Sequence, residues 1–359
     1  MTETTIETAV PETGAVGGVH WRRLFAGRDA AMIYALVVVI AVACVLIPYF
    51  ASVTTVNFLL IDAIPILAIA MPMTLIIITG EIDLSVASIA GLSVATMGVL
   101  WQDQHWPIWL IVITCAVVGI VAGAVNGFLI TVVGLPSLAV TIGTLALFRG
   151  LALVVIGNTA VADFPLDLTT FATSTIPGIG VPTVMILVII VAIIFGVLLH
   201  FTPLGRSIYT IGNSPEAASF VGIRVGLTKF SLYIASGLIS ALVGVFWALR
   251  YSSAQSDSAT GLELTVIAGV VLGGVSIFGG SGGIVGVIGG VLLIRTATYS
   301  LQLAGVSDTV LTIVTGGLLV ISVVAPSASR WLRSRRRTEH PPKVIAGTPV
   351  SATNAEHQA

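Results

Sequence analysis

The chain has 359 residues, of which 56% are apolar and 9% charged, with a net charge of −1 and a mean hydropathy of +1.09. A soluble domain carries about 25% charged residues, so this composition excludes a water-soluble globule and predicts an integral membrane protein. Near-neutral charge says nothing about nucleic acid, and Cys44 and Cys115 both lie inside apolar runs, which argues for small core residues and against a disulfide framework or a thiolate metal site.

Residues 1–29 form a polar N-terminal tail, acidic at first and then basic with Arg22, Arg23 and Arg28. The apolar run that follows, near 30–50, is about 20 residues long, as a membrane span requires, and lacks a small-residue cleavage site; it reads as a retained anchor. Further spans are expected near 58–79, 84–101, 108–132, 137–157, 182–201, 230–250, 262–279, 284–301 and 308–325. This amounts to about ten transmembrane helices, an all-α polytopic fold with 38 glycines favouring close packing, and the Gly-rich stretches admit broken or re-entrant helices. Residues 326–359 form a basic tail with the run Arg333 to Arg337, expected to be disordered and to sit against anionic lipid.

Alternation of these spans from a cytoplasmic N-terminus puts both tails and the 202–229 segment on the inner side. All of the 15 Lys and Arg then fall inside except Arg149, Arg250 and Arg295, in agreement with the positive-inside rule. Trp101, Trp106 and Trp109 surround an outer loop as an interfacial aromatic belt. The outer loop at 158–181 carries Asp163 and Asp167, and reads either as a resting place for a partner or as a solvated loop.

The 202–229 segment is too polar to lie in lipid. Its middle predicts a short helix: Ser214 as N-cap, Pro215 at the first position, Glu216 against the dipole and Gly222 closing the end. Such a helix spans about two turns, too few to be stable alone in water. Ala217, Ala218, Phe220 and Val221 offer small and apolar side chains for docking, and a soluble partner is the expected support; an ordinary loop with one amphipathic turn is the plainer alternative.

Small residues repeat every fourth position at Gly119, Gly123 and Gly127, at Gly269 and Gly273, and at Gly282, Gly286 and Gly290, lining helix faces along which backbones can approach. The GGSGG at 279–283 lacks the Gly-Lys-Ser/Thr ending of a nucleotide-binding loop and reads as a tight turn, so ATP hydrolysis by this chain is not expected. Polar groups in or beside spans are Asp62, Glu81, Asp83, Asn126, Arg149, Gln255 and Glu263; for Glu81 and Asp83, just before Ser85, helix capping is the expected role. No chain of buried acids suits proton coupling, and no His, Cys or Ser constellation suits hydrolysis; no catalytic residue and no metal site is expected.

GEIDLSVASIAGL (80–92), TPLGRSIYTIGNSPEAASFVGI (202–223), the stretch from Ser252 to Gly286 and AGVSDTVLTIVTG (304–316) resemble the permease subunits of ribose-type ABC importers, in order and spacing over roughly 30–325. The resemblance implies a type II-like importer permease domain over 30–325, paired with an identical or sister permease. It also implies two cytoplasmic ATP-binding subunits that hold ATP and Mg, with no cofactor on this chain, and an external sugar-binding protein. Glu216, Ala217, Ala218 and Gly222 then match the start of the EAA coupling loop, with Ser214, Pro215, Phe220 and Arg224 beside them; the downstream Ile-x-Leu-Pro of the fullest pattern is absent. Glu81 and Ala87, against the GGIDLSVGS of ribose-like members, place the chain nearer to rhamnose and autoinducer-2 permeases. Asp83, Asn126, Gln255 and Glu263 are the expected pathway residues, able to bond sugar hydroxyls. An ion-coupled or uncoupled secondary sugar carrier is the alternative; it would need its own mid-membrane coupling site.

Overall fold

The structure is a computed structural model and describes residues 28–307, 309–317, 320 and 324. The expectations for the N-terminal tail, for Arg22 and Arg23 and for the Arg333 to Arg337 run lie outside the described residues. Among the described residues the fold is helical, without a β-strand: α1 (Arg28–Leu46), α2 (Val53–Ile78), α3 (Val86–Gln102), α4 (Ile108–Thr131), α5 (Ser137–Ile156), α6 (Leu166–Thr173), α7 (Met185–Phe201), α8 (Pro203–Asn213), α9 (Pro215–Phe220), α10 (Val225–Tyr251), α11 (Leu262–Leu272) and α12 (Ile284–Leu303). Residues 309–317 are helical as well.

Five of these helices, α2, α4, α5, α10 and α12, are long and apolar enough to cross a membrane, and a sixth span is made if α7 and α8 are taken together across their 71° bend. The expectation of ten full spans is not met by length: α3 has 17 residues and α11 only 11, ending at Leu272 where the sequence reading carried a span to 279. Gly273 and Gly274 stop α11, and residues 275–283 are non-helical, with the glycine turn predicted at 279–283 showing positive φ at Gly279, Gly280 and Gly282.

The bundle is built around α2. In its most apolar stretch 94% of the residues are buried, including the unbroken run from Ala63 to Ile78. A helix hydrophobic on every side must be enclosed by others, and this one carries Pro65 and Pro72 in its interior, which remove two backbone donors where packed neighbours keep the helix in shape. It packs against α7, α10, α11 and α12, while α4, α5 and α7 show buried inner faces and exposed Ile, Leu and Val on their outer faces, as lipid contact requires. Cys115 is buried as expected, whereas Cys44 is exposed on α1.

The glycine stripes meet one another. A Cβ on Gly119 would stand 2.4 Å from the Gly237 carbonyl oxygen of α10, and one on Gly237 would stand 2.2 Å from that of Gly119. Gly273 of α11 and Gly290 of α12 pack in the same way, the first against Val287 and the second against the Gly269 carbonyl. Without side chains at these points, helices approach to backbone contact, which is where dispersion holds a bundle whose surroundings are as apolar as its core.

Candidate functional site

The bundle has two ends, each with its own polar network. One holds the 79–85 loop, α8, α9 and the glycine turn; the other holds the 158–181 and 252–261 segments.

At the first end the 202–222 segment forms a hook of two helices. Thr202 accepts a hydrogen bond from the Gly205 amide at 3.4 Å and Pro203 opens α8; Ser214 accepts from the Ala217 amide at 3.1 Å and Pro215 opens α9. The two starts use the same grammar of hydroxyl cap followed by proline, so α8 was legible in Thr202-Pro203, although the sequence reading found a helix only at 215–220. Ser214 also donates to Glu216 at 3.1 Å, and Gly222 ends the hook at φ +83°, a conformation costly for other residues. Ala218 is fully buried against its own chain, and it anchors the turn. Glu216, Ala217 and Arg224 are exposed, Phe220 is 89% and Val221 73% exposed, and together they form an outward apolar and charged rim.

The hook is fastened to the core. A Cβ on Gly212 would lie 1.8 Å from the Ile78 carbonyl oxygen and 2.4 Å from the Gly280 amide nitrogen; that amide in turn donates to Ile78 at 2.9 Å. Tyr209 donates to the Gly282 carbonyl at 2.7 Å. The end of α2, the hook and the turn before α12 thus share one backbone junction.

Beside it, the 79–85 loop is pinned from α4, α5 and α10, the second through Ser137, which accepts from the Ile82 amide at 3.3 Å. Asp83 is 1% exposed; its Oδ1 accepts from the Ser85 amide at 3.0 Å and the Ser85 hydroxyl at 2.6 Å, and its Oδ2 accepts from Ser236 of α10 at 2.9 Å. Asn126 of α4, also buried, donates through Nδ2 to Ser85 Oγ at 2.7 Å, while its Oδ1 has no protein donor. Burial pushes the Asp83 carboxyl above the usual carboxylate range, against the lowering effect of the three hydrogen bonds. The capping expectation is not met: Asp83 holds the amide and hydroxyl of Ser85, the residue before α3, and α3 has no side-chain cap bond. Glu81 does something else: it forms an ion pair with Lys229 of α10, both largely buried.

Gln255 and Glu263, the other two expected pathway residues, lie outside this network. Gln255 is exposed and donates to Ser253 at 3.4 Å; Glu263, in the first turn of α11, keeps a buried Oε2 without a partner. The structure therefore joins Asp83 with Asn126 and separates both from Gln255 and Glu263.

The three arginines that broke the charge rule are accounted for as well. Arg149 donates to the carbonyls of Ser256 and Ser258 at 3.0 and 2.7 Å. Arg250 and Arg295 both grip Asp62, the latter at 2.6 Å, a cluster the sequence reading did not assemble because its members are separated by up to 233 residues. The 158–181 segment is folded rather than open: α6 lies within it, Val161 pairs with Ala254, and Trp101 donates to the Asp163 carbonyl at 3.1 Å. Asp163 and Asp167 themselves are exposed.

Comparison with known proteins gives consistent answers. The family model described as branched-chain amino acid transport system / permease component matches residues 56–323. The autoinducer 2 import system permease proteins LsrD of Escherichia coli K12 and of Shigella flexneri are each 35% identical to this chain over 293 residues, covering 78% of it and 88% of the relative. No solved structure matches.

Proposed function

The chain belongs to the branched-chain amino acid transport system / permease component family, and on that premise we propose that it is the membrane-spanning permease of an ATP-driven importer for a sugar-like solute of the autoinducer-2 class. Its similarity to the LsrD proteins supports the solute class. In this reading the chain hydrolyses nothing itself. Two ATP-binding subunits, carrying ATP and Mg, sit below it in the cytoplasm, a second identical or sister permease stands beside it, and an external binding protein delivers the solute. The chain lies in the plasma membrane with both termini on the cytoplasmic side.

One observation carries the reading: α9 is a capped, internally anchored turn whose only large apolar side chains, Phe220 and Val221, point away from the bundle. A fully buried Ala218 beside a solvent-facing Phe220 would be poor design for a free loop, since exposed aromatic surface is normally covered by something. The ATP-binding subunit is that cover. Closure of the two ATPases would press on α9, and the 71° bend between α7 and α8 together with the Gly212–Ile78 junction would pass the displacement into α2.

Glu216→Lys and Gly222→Trp test this directly. Each is expected to abolish uptake and co-purification of the ATP-binding subunit while the permease stays inserted. Transport and co-purification that survive both changes would overturn the coupling assignment.

A further inference from the structure

A cavity of about 890 Å³ opens among α2, α10, α11, α12 and residues 311–320. Small-molecule sites run to about 300–1,000 Å³, so this one has room for a single sugar-sized molecule and its water. Much of the wall is apolar, with Ile66 of α2, Leu264 of α11 and Ile294 of α12.

The charges in the wall are occupied with one another. Asp62 holds Arg250 through one carboxylate oxygen and Arg295 through the other. Arg250 also donates to the Ile61 carbonyl at 3.1 Å and lies over the Tyr251 ring at 4.8 Å, while the Arg295 Nε is buried, out of reach of anything in the cavity. Paired ions are tolerated at membrane depth, and this cluster fastens α2 to α10 and α12 as the frame of the cavity.

The groups left open are neutral. Gln302, in the last turn of α12, is exposed, and its side-chain amide has no hydrogen-bond partner among the described residues. The same holds for the Tyr251 hydroxyl and the Trp247 indole N–H, carried four residues apart on α10 by rings whose centroids are 5.1 Å apart. Indole is a donor, and phenol and carboxamide both donate and accept, which is the set that meets hydroxyl groups. A zwitterionic amino acid would need a carboxylate for its ammonium, and both oxygens of Asp62 are engaged.

We propose that this cavity holds the solute during passage and recognises it as a neutral cyclic polyol. The Trp247 and Tyr251 rings lie against the C–H face of the solute ring, whose hydrogens are attracted to the negative aromatic face. Gln302 and the Tyr251 hydroxyl bond its hydroxyl groups. The inference rests on the permease reading and deepens it by placing solute contact on α10 and α12; neither Asp83 nor Asn126 lines this cavity.

The test is solute protection of a thiol in the full-length chain, held in phosphatidylcholine nanodiscs. Leu264→Cys is the reporter, since Leu264 is exposed and lines the cavity; Cys44→Ser removes the exposed native thiol, and Cys115 is buried. Labelling by N-ethylmaleimide, which needs a thiolate in water, is followed against rising ribose, rhamnose, autoinducer 2 or leucine. Saturable loss of labelling is expected with the sugars and autoinducer 2, and none with leucine over the same range. Gln302→Leu and Tyr251→Phe should each raise the half-protecting concentration by about three- to tenfold, the effect of one neutral hydrogen bond. Melting temperatures should hold, because Gln302 is exposed and phenylalanine keeps the ring; if one variant fails to fold, the other carries the comparison. Equal protection by leucine, no saturable protection by ribose, rhamnose or autoinducer 2, or half-protection unmoved by either variant would each overturn the proposal. So would a thiol that the reagent does not reach even without solute, as lipid or a second copy filling the cavity would produce. ATP-driven uptake by the assembled importer without protection would remove the cavity site and leave the permease reading standing, whereas protection without such uptake would keep the site and remove that reading.

Discussion

Gly212 and Ile78 meet backbone to backbone: the position a Cβ would take on the glycine is 1.8 Å from the isoleucine carbonyl oxygen, which already accepts the Gly280 amide at 2.9 Å. This contact is the mechanical link between an exposed hook and the most enclosed helix of the protein. A link made of backbone cannot yield by rotating a side chain, so displacement of α8 must move α2 or break the junction.

Gly212→Ala should therefore cost more than an ordinary overpacking change, at or above the usual ~1–3 kcal/mol, and should lower uptake in a complex that still assembles. Gly143→Ala is the control. Nothing lies within 4 Å of a Cβ at that position inside α5, so it should be neutral or stabilising by ~0.5–1 kcal/mol. Thermal unfolding in detergent, paired with uptake in vesicles, checks both.

Phe220 and Ala218 should separate docking from folding. Phe220→Ala removes an exposed ring and should shift stability by no more than ~0.5 kcal/mol while weakening capture of the ATP-binding subunit. Ala218→Leu overfills a fully buried position and should destabilise by ~1–3 kcal/mol. Pull-down yield and melting temperature, measured on the same preparations, give the two readouts.

The Lys229–Glu81 pair ties α10 to the 79–85 loop with side chains 12% and 16% exposed. Removal of one partner strands a mostly buried charge, and Lys229→Met should cost up to ~3–5 kcal/mol, less to the extent that water still reaches the site. The double change Lys229→Met with Glu81→Leu should recover most of the loss. A double-mutant cycle on melting temperature would show this coupling, and additive losses would argue that the pair is incidental.

Asp83 gives a pH dependence with a definite sign. Its folded carboxyl is raised above the ordinary value, so the stability it contributes is fully present below the unfolded carboxylate range and is lost as pH rises through the folded value. Asp83→Asn cannot ionise and keeps an oxygen for the Ser85 amide and hydroxyl. Its melting temperature should gain on the parent as pH rises from about 4 upward, whereas Asp83→Ala should be ~1–3 kcal/mol less stable than Asp83→Asn at every pH through stranded donors at Ser85 and Ser236.

Much of this was legible in the sequence because it is local. The apolar runs located the helices, Ser214-Pro215 and Gly222 marked the ends of α9, and the spacing of Gly119 and Gly123 marked the face that meets α10. What escaped was long-range or geometric. The Asp62 cluster joins residues 188 and 233 positions apart, and Glu81 finds its partner 148 positions away, which no periodicity encodes. The full length of the span predicted at 262–279 failed because paired glycines end α11 early, a choice between helix and turn that hydropathy alone does not make. The side of α9 that faces inward depended on how α8 meets α2, so Ala218 looked equivalent to Ala217 until the bend was known.

Uptake by reconstituted vesicles measures the central claim most directly: solute accumulation is followed with the permease alone, and then with its ATP-binding subunits and internal ATP. The account predicts accumulation against a gradient only when the ATP-binding subunits and ATP are both present. Uphill accumulation by vesicles that hold this chain and no nucleotide-hydrolysing partner would contradict it.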